Sequence, residues 1–224
     1  MTKNKEYYIS EPQAKVDAAV IWLHGLGADG NDFMGIIDQL GLPDAHTVRF
    51  MFPNAPFMEV TVNNGYSMRA WYDIYGQNIL NEEDEQGVKR SQQALTQMIQ
   101  MQLADGIDSK RILLAGFSQG GAMALYTGLR CEQPLGGILV LSAYLPLAAS
   151  FTTSHYPRNQ HTPIFMAHGL FDPIVPFSAG HDTCQQLQRE NYRVEWHTYP
   201  MEHTIDLAEI RDIGNFINGC LGYA

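Results

Sequence analysis

Short apolar runs alternating with stretches of helical period set the limits on what this chain can fold into. Ala18–Leu23, Arg49–Phe52, Arg111–Phe117, Gly137–Leu141, Pro163–Ala167 and Arg193–Tyr199 read as strands, and several are apolar almost throughout. A strand apolar at successive positions has no face to give to water, so it must be covered on both sides. Between the strands, Ala122, Leu125, Tyr126 and Leu129 stand at i, i+3, i+4 and i+7, one face of a helix. Ile213, Phe216, Ile217 and Cys220 repeat that spacing, and Val88, Leu95, Met98 and Ile99 share a face in a third helix. The acids at Glu82–Glu85 precede that third helix, where the positive end of the helix dipole favours them; they read as a helix start rather than a cation site. This alternation predicts an α/β domain on a mainly parallel sheet with helices on both faces.

No repeat or linker divides the 224 residues, so one domain spanning 1–224 is expected. Asn54–Gly76, rich in Pro, Gly and aromatics, breaks the rhythm and reads as a long excursion or hairpin near a site. Lys and Arg number 14 against 24 Asp and Glu, a net charge of −10 that argues against nucleic acid and against anionic membranes as partners. Cys131, Cys184 and Cys220 are an odd number without metal-ligand spacing and read as free thiols on helices, with no metal expected. The N-terminus lacks the apolar core of a signal peptide, and the apolar stretch from Gly137 to Ala149 is too short to span a bilayer. A cytoplasmic protein without stable membrane insertion is the expectation.

The chemistry gathers at Gly116-Phe117-Ser118-Gln119-Gly120, followed by Gly121. This G-x-S-x-G lies between an apolar strand and an amphipathic helix, the context in which a sharp strand–helix turn lifts a serine hydroxyl above the sheet edge. The amide of Gln119 then opens a helix and can face a developing oxyanion. Ser142, in Leu141-Ser142-Ala143, lacks the flanking glycines and reads as structural. A serine hydroxyl needs a base held by a third group, in the chain order Ser, acid, His, each past a strand. His203 follows the strand Arg193–Tyr199, whereas His197 lies inside it and reads as packing; His155, His161 and His181 lack a strand-end setting. Asp172 follows the strand Pro163–Ala167 and is the leading acid, while Asp182, Asp206 and Glu202 read as ordinary helix or flanking residues. Ser118, Asp172 and His203 are therefore the candidate triad.

Gly25, Gly27 and Gly30 formally match the dinucleotide fingerprint G-x-G-x-x-G, a remote alternative that would make the protein a nucleotide-dependent oxidoreductase. That motif also needs an acid at the end of the second strand, and this chain has Phe52-Pro53-Asn54-Ala55 there. The preferred reading is a His-Gly loop in which the Leu26 amide supplies the second oxyanion donor and His24 supports the loop. Trp71, Met68 and Tyr66, with Phe57 and Met58, either line an apolar groove for an acyl chain or pack the excursion onto the domain. Trp71 and Met68 are the substrate-binding candidates.

Leu23-His24-Gly25-Leu26-Gly27-Ala28-Asp29, the Gly116–Gly121 turn, His168-Gly169 with Asp172, and Tyr199-Pro200-Met201-Glu202-His203 together resemble the small carboxylesterase and acyl-protein thioesterase family of α/β-hydrolases. Pro53-Asn54-Ala55-Pro56 and Arg69-Ala70-Trp71-Tyr72-Asp73 extend the likeness, which runs from about Val20 to Gly219. Glu202 departs from the pattern, since many relatives carry a glycine or another small or neutral residue before the histidine. The resemblance implies a serine hydrolase without cofactor, with Ser118 as nucleophile, Asp172 and His203 as partners, and Leu26 and Gln119 as oxyanion donors. It also admits homodimers. The expected function is a serine carboxylesterase acting on short-to-medium acyl esters, small-molecule or lipid, through an acyl-enzyme; the alternative is an acyl-protein thioesterase or lysophospholipase, with acylated protein as partner.

Overall fold

A seven-stranded sheet carries the chain, in a computed structural model that describes residues 6–76, 82–151 and 157–223. In chain order the strands are β1 (Tyr7–Ser10), β2 (Ala18–Leu23), β3 (Val48–Pro53), β4 (Phe57–Val60), β5 (Tyr66–Arg69), β6 (Ile112–Phe117), β7 (Gly137–Leu141), β8 (Ile164–Gly169) and β9 (Val194–Tyr199). The main helices are α1 (Glu85–Ala104), α2 (Gln119–Arg130), α3 (Phe177–Arg189) and α4 (Leu207–Leu221), and a 3₁₀ stretch covers Gly30–Gln39. The sheet order is β1-β3-β2-β6-β7-β8-β9, with every pairing parallel except β1, which runs antiparallel to β3 at one edge.

The all-apolar strands are sandwiched as their composition demands. Alternate residues of β2 serve opposite layers: Ile21 and Leu23 pack with Val88, Leu95, Leu125 and Leu187 of α1, α2 and α3. Val20 and Trp22 pack with Ile36 and Leu40 of the 3₁₀ stretch and Ile213 and Ile217 of α4. α2 is buried on every side from Gln119 to Leu129, because it lies between the sheet and α1. Asp84 caps α1 by accepting from the Gly87 amide at 2.8 Å, so the acidic run is a helix start.

Two elements differ from expectation. β1 was not anticipated, since Tyr7–Ser10 is a half-exposed edge strand with no apolar run to announce it. Cys184 and Cys220 lie on α3 and α4, but Cys131 stands one residue past α2 as its C-cap. All three thiols are unpaired, and burial pushes those of Cys131 and Cys220 up to about 12. The excursion contains a hairpin, β4 against β5, separate from the main sheet. Among the described residues, no helix is long and apolar enough to cross a membrane.

The chain leaves β2 toward one layer and β6 toward the other, although the two strands are hydrogen-bonded neighbours. Such a switch point opens a crevice above the carboxyl ends of the strands. The loop after β2 and the turn after β6 form its two walls.

Candidate active site

Ser118 sits between β6 and α2 with φ 55° and ψ −124°, a conformation costly for a side chain with a Cβ. The glycines around it make the turn sterically feasible. A Cβ on Gly121 would stand 2.7 Å from the carbonyl of Gly116, and one on Gly120 would stand 2.5 Å from the carbonyl of His24. The Ser118 amide donates to the Leu141 carbonyl at 2.8 Å, anchoring the turn to β7.

His203 and Asp172 arrive on the loops after β9 and β8. The Ser118 hydroxyl lies 2.9 Å from His203 Nε2, and His203 Nδ1 lies 2.7 Å from Asp172 Oδ2. Nδ1–H donates to the carboxylate, which leaves Nε2 free to accept the serine proton. The other oxygen of Asp172, Oδ1, accepts the amides of Ile174 and Val175 at 2.8 and 2.9 Å. Burial raises the Asp172 carboxyl, but the His203 bond and these two amides outweigh it and leave it below its ordinary range. Leu170 and Phe171 amides donate to the carbonyls of Tyr199 and Met201, lacing the acid loop to the base loop. The Phe117 ring lies 4.7 Å from the His203 ring, a neighbour that sequence reading missed.

The loop after β2 closes against the serine: a Cβ on Gly25 would stand 3.3 Å from Ser118 Cβ. The Ala55 amide donates to His24 Nε2 at 3.0 Å, so the other ring nitrogen carries the proton and donates to the Gly25 carbonyl at 2.7 Å. Burial lowers the pKa of His24 and keeps it neutral in this role. Gly27 donates to the Arg69 carbonyl at 2.9 Å, tying the loop to the hairpin. Neither the Leu26 amide nor the Gln119 amide donates to another described protein group. Gly30, the last glycine of the dinucleotide pattern, packs against the Phe52 carbonyl where the 3₁₀ stretch begins.

Trp71 departs from expectation. It is 3% exposed and presents no ring to a groove; its indole Nε1–H donates to the His24 carbonyl at 2.9 Å. A tryptophan beside a site can face substrate or brace the wall behind it, and its spacing in the chain does not distinguish the two. Met68 is half-buried, its sulfur 3.7 Å from where a Cβ on Gly27 would stand. Phe57 and Tyr66 are largely exposed on the hairpin.

The residues set aside fall elsewhere. Ser142 is buried after β7, and His197 stacks on Phe165 at 4.8 Å. His181 and Asp182 lie on α3, and Asp206 caps α4. Glu202 is exposed, and His155 lies outside the described residues. The sequence marks His168 only as part of the His168-Gly169 motif. It is buried beside Asp172, its Nε2–H donating to the Val175 carbonyl at 2.9 Å. Among the described residues no cluster of His, Cys, Asp or Glu is arranged to hold a metal.

A strand–serine–helix turn, a histidine and a buried aspartate above a parallel sheet define an α/β-hydrolase of the serine type. The chain belongs to the phospholipase/carboxylesterase family, whose profile matches residues 4–221, and is a serine hydrolase. It is 38% identical over 214 residues to acyl-protein thioesterase 1 of Neurospora crassa, covering 91% of this chain and 87% of that one. Arabidopsis thaliana SOBER1 superposes with a TM-score of 0.84 at 32% identity, covering 91% of this chain and 99% of that one. Zea mays acyl-protein thioesterase 2 shares the fold, with a TM-score of 0.86 at 23% identity, covering 96% and 99% of the two chains. Membership of this family replaces the oxidoreductase alternative.

Proposed function

We propose that the protein is an acyl-protein thioesterase that releases acyl groups from protein thioesters through an acyl-enzyme on Ser118. The observation that carries the chemistry is the unbroken relay from Ser118 through His203 to Asp172 at 2.9 and 2.7 Å. Likeness to the fungal thioesterases supports the substrate class and shifts the reading from short-chain carboxylesterase toward the thioester alternative. Oxygen esters remain a second reading, favoured by the family's description as phospholipase and carboxylesterase.

In this mechanism the Ser118 oxygen attacks the thioester carbonyl as its proton passes to His203 Nε2, and Asp172 stabilises the imidazolium. The amides of Leu26 and Gln119 bind the oxyanion, each contributing roughly 2.7–4 kcal/mol in the transition state. Collapse breaks the C–S bond, and His203 returns its proton to the departing thiolate. Water then attacks the Ser118 ester by the same route, releasing the carboxylic acid and restoring the serine. Met68, beside Gly27, is placed in this proposal against the acyl chain near the carbonyl.

The test is hydrolysis of an S-palmitoyl peptide beside p-nitrophenyl esters from acetate to palmitate, with Ser118→Ala in parallel. Turnover of the peptide that vanishes in the variant is expected. Ester turnover without peptide turnover would return the reading to a small-ester carboxylesterase, and turnover surviving in Ser118→Ala would remove the serine from the mechanism.

A further inference from the structure

Three buried hydrogen bonds tie Trp71 to the loop after β2, to the first residue of α2 and to α1. Its indole Nε1–H donates to the His24 carbonyl at 2.9 Å, which holds the peptide plane just ahead of Gly25 and Leu26. Its main-chain N–H donates to the side-chain Oε1 of Gln119 at 2.9 Å, and Gln119 Nε2–H donates to the neighbouring Tyr72 carbonyl at 2.7 Å. The Gln119 side chain thus pairs with the excursion as a strand would, while its main-chain amide opens α2. The third bond anchors the brace: the Ser91 hydroxyl of α1 donates to the Trp71 carbonyl.

The contact is also closed sterically. The His24 carbonyl is held between the indole N–H and the α-carbon of Gly120, where a Cβ would stand 2.5 Å from it. The His24 ring flanks the Trp71 ring, with centroids 5.3 Å apart. Trp71, His24 and Gln119 are all buried, so water does not compete for these bonds and they act with full electrostatic strength. A brace hydrogen-bonded to both walls but to neither Ser118 nor His203 is suited to one task, the spacing between two donors.

We propose that Trp71 is a positioning residue that sets the distance between the Leu26 and Gln119 amides, with the Gln119 side chain as its second point of attachment. This inference rests on the serine-hydrolase reading given above. An oxyanion forms only in the transition state, so a misplaced donor pair slows the chemical step and leaves ground-state binding intact.

Trp71→Phe keeps an aromatic ring at the site and removes the indole N–H together with part of the ring's volume. Active sites are first counted by complete labelling with a fluorophosphonate, in which the Ser118 oxygen displaces fluoride from phosphorus. Per labelled site, kcat is expected to fall roughly 10- to 100-fold with KM nearly unchanged, to the same extent on acetate and palmitate esters. Affinity for butylboronic acid should fall in parallel, because its boron accepts the Ser118 oxygen and forms a tetrahedral anion at the oxyanion position. Gln119→Met, which keeps the main-chain amide and loses both side-chain bonds, should show the same signature. Unchanged kcat per labelled site, or a loss confined to long acyl chains, would overturn the positioning role. Wild-type protein that takes no label, or turnover that survives Ser118→Ala, would instead overturn the serine-hydrolase reading and the positioning role with it.

Discussion

Gly169 and Met201 approach so closely that a Cβ on the glycine would stand 2.5 Å from the methionine's carbonyl oxygen. The first closes β8 and leads to Asp172; the second follows β9 and leads to His203. Their contact aligns acid with base across loops 31 residues apart. Gly169→Ala must push those loops apart, and overpacking of this kind costs about 1–3 kcal/mol. Urea denaturation should register that loss, and kcat should fall with it. A variant destabilised but fully active would mean that the Asp172–His203 bond tolerates the displacement.

Asp172→Asn should lower kcat by roughly 10⁴-fold while leaving the fold intact. The Ile174 and Val175 amides need an acceptor, so the Asn oxygen would take that position and its NH₂ would face His203. Nδ1 would then become an acceptor and Nε2 would carry the proton, the wrong tautomer to receive one from Ser118. Steady-state kinetics with near-ultraviolet circular dichroism tests this, and a loss below tenfold would contradict the orienting role.

Glu209 is fully buried in the first turn of α4, and its carboxyl oxygens have no hydrogen-bond partner. Burial, and then the nearby Asp206 carboxylate, push it up to about 8. A glutamate in the unfolded chain titrates near ~4.3, so between that pH and about 8 the native state holds a proton the unfolded chain has released. Stability from this group therefore falls as pH rises through the window. Glu209→Gln removes the titration, and its Tm advantage over wild type should widen from about pH 5 to about pH 8. A constant difference would show that the group is ionised in the native protein.

His168 gives the opposite trend. Its ring is buried, Nδ1 has no partner, and desolvation holds its pKa below the ordinary value. As pH falls through about 6.5, the unfolded chain takes up a proton that the native ring does not, so stability is lost on the acid side. His168→Gln should therefore lose less stability than wild type between about pH 7.5 and about pH 5.5. Parallel Tm curves for the two proteins would exclude the histidine as the titrating group.

The order of these pieces was readable because their causes are local. β2, β6 and β7 are apolar throughout and β8 is apolar as far as Ala167, as burial on both faces favours. Gly116, Gly120 and Gly121 mark the turn at Ser118 because any side chain there would strike backbone within a few residues or on the next strand. Edge strand β1 was illegible because its partner β3 lies some forty residues on, and nothing in Tyr7–Ser10 records that pairing.

By itself, then, the amino-acid sequence determined the alternating layers, the strained serine turn, and the candidate residues for nucleophile, acid and base. Tertiary structure decided which way side chains face. Trp71 carries the same residues around it whether its ring lines a groove or braces the loop after β2; only the fold of the excursion over β2 and α2 aimed the indole N–H at His24. The same holds for the Gln119 side chain, whose partners Trp71 and Tyr72 come from a segment distant in the chain. Periodicity and turn chemistry act over a few residues, whereas a hydrogen bond between loops depends on where the whole sheet places them.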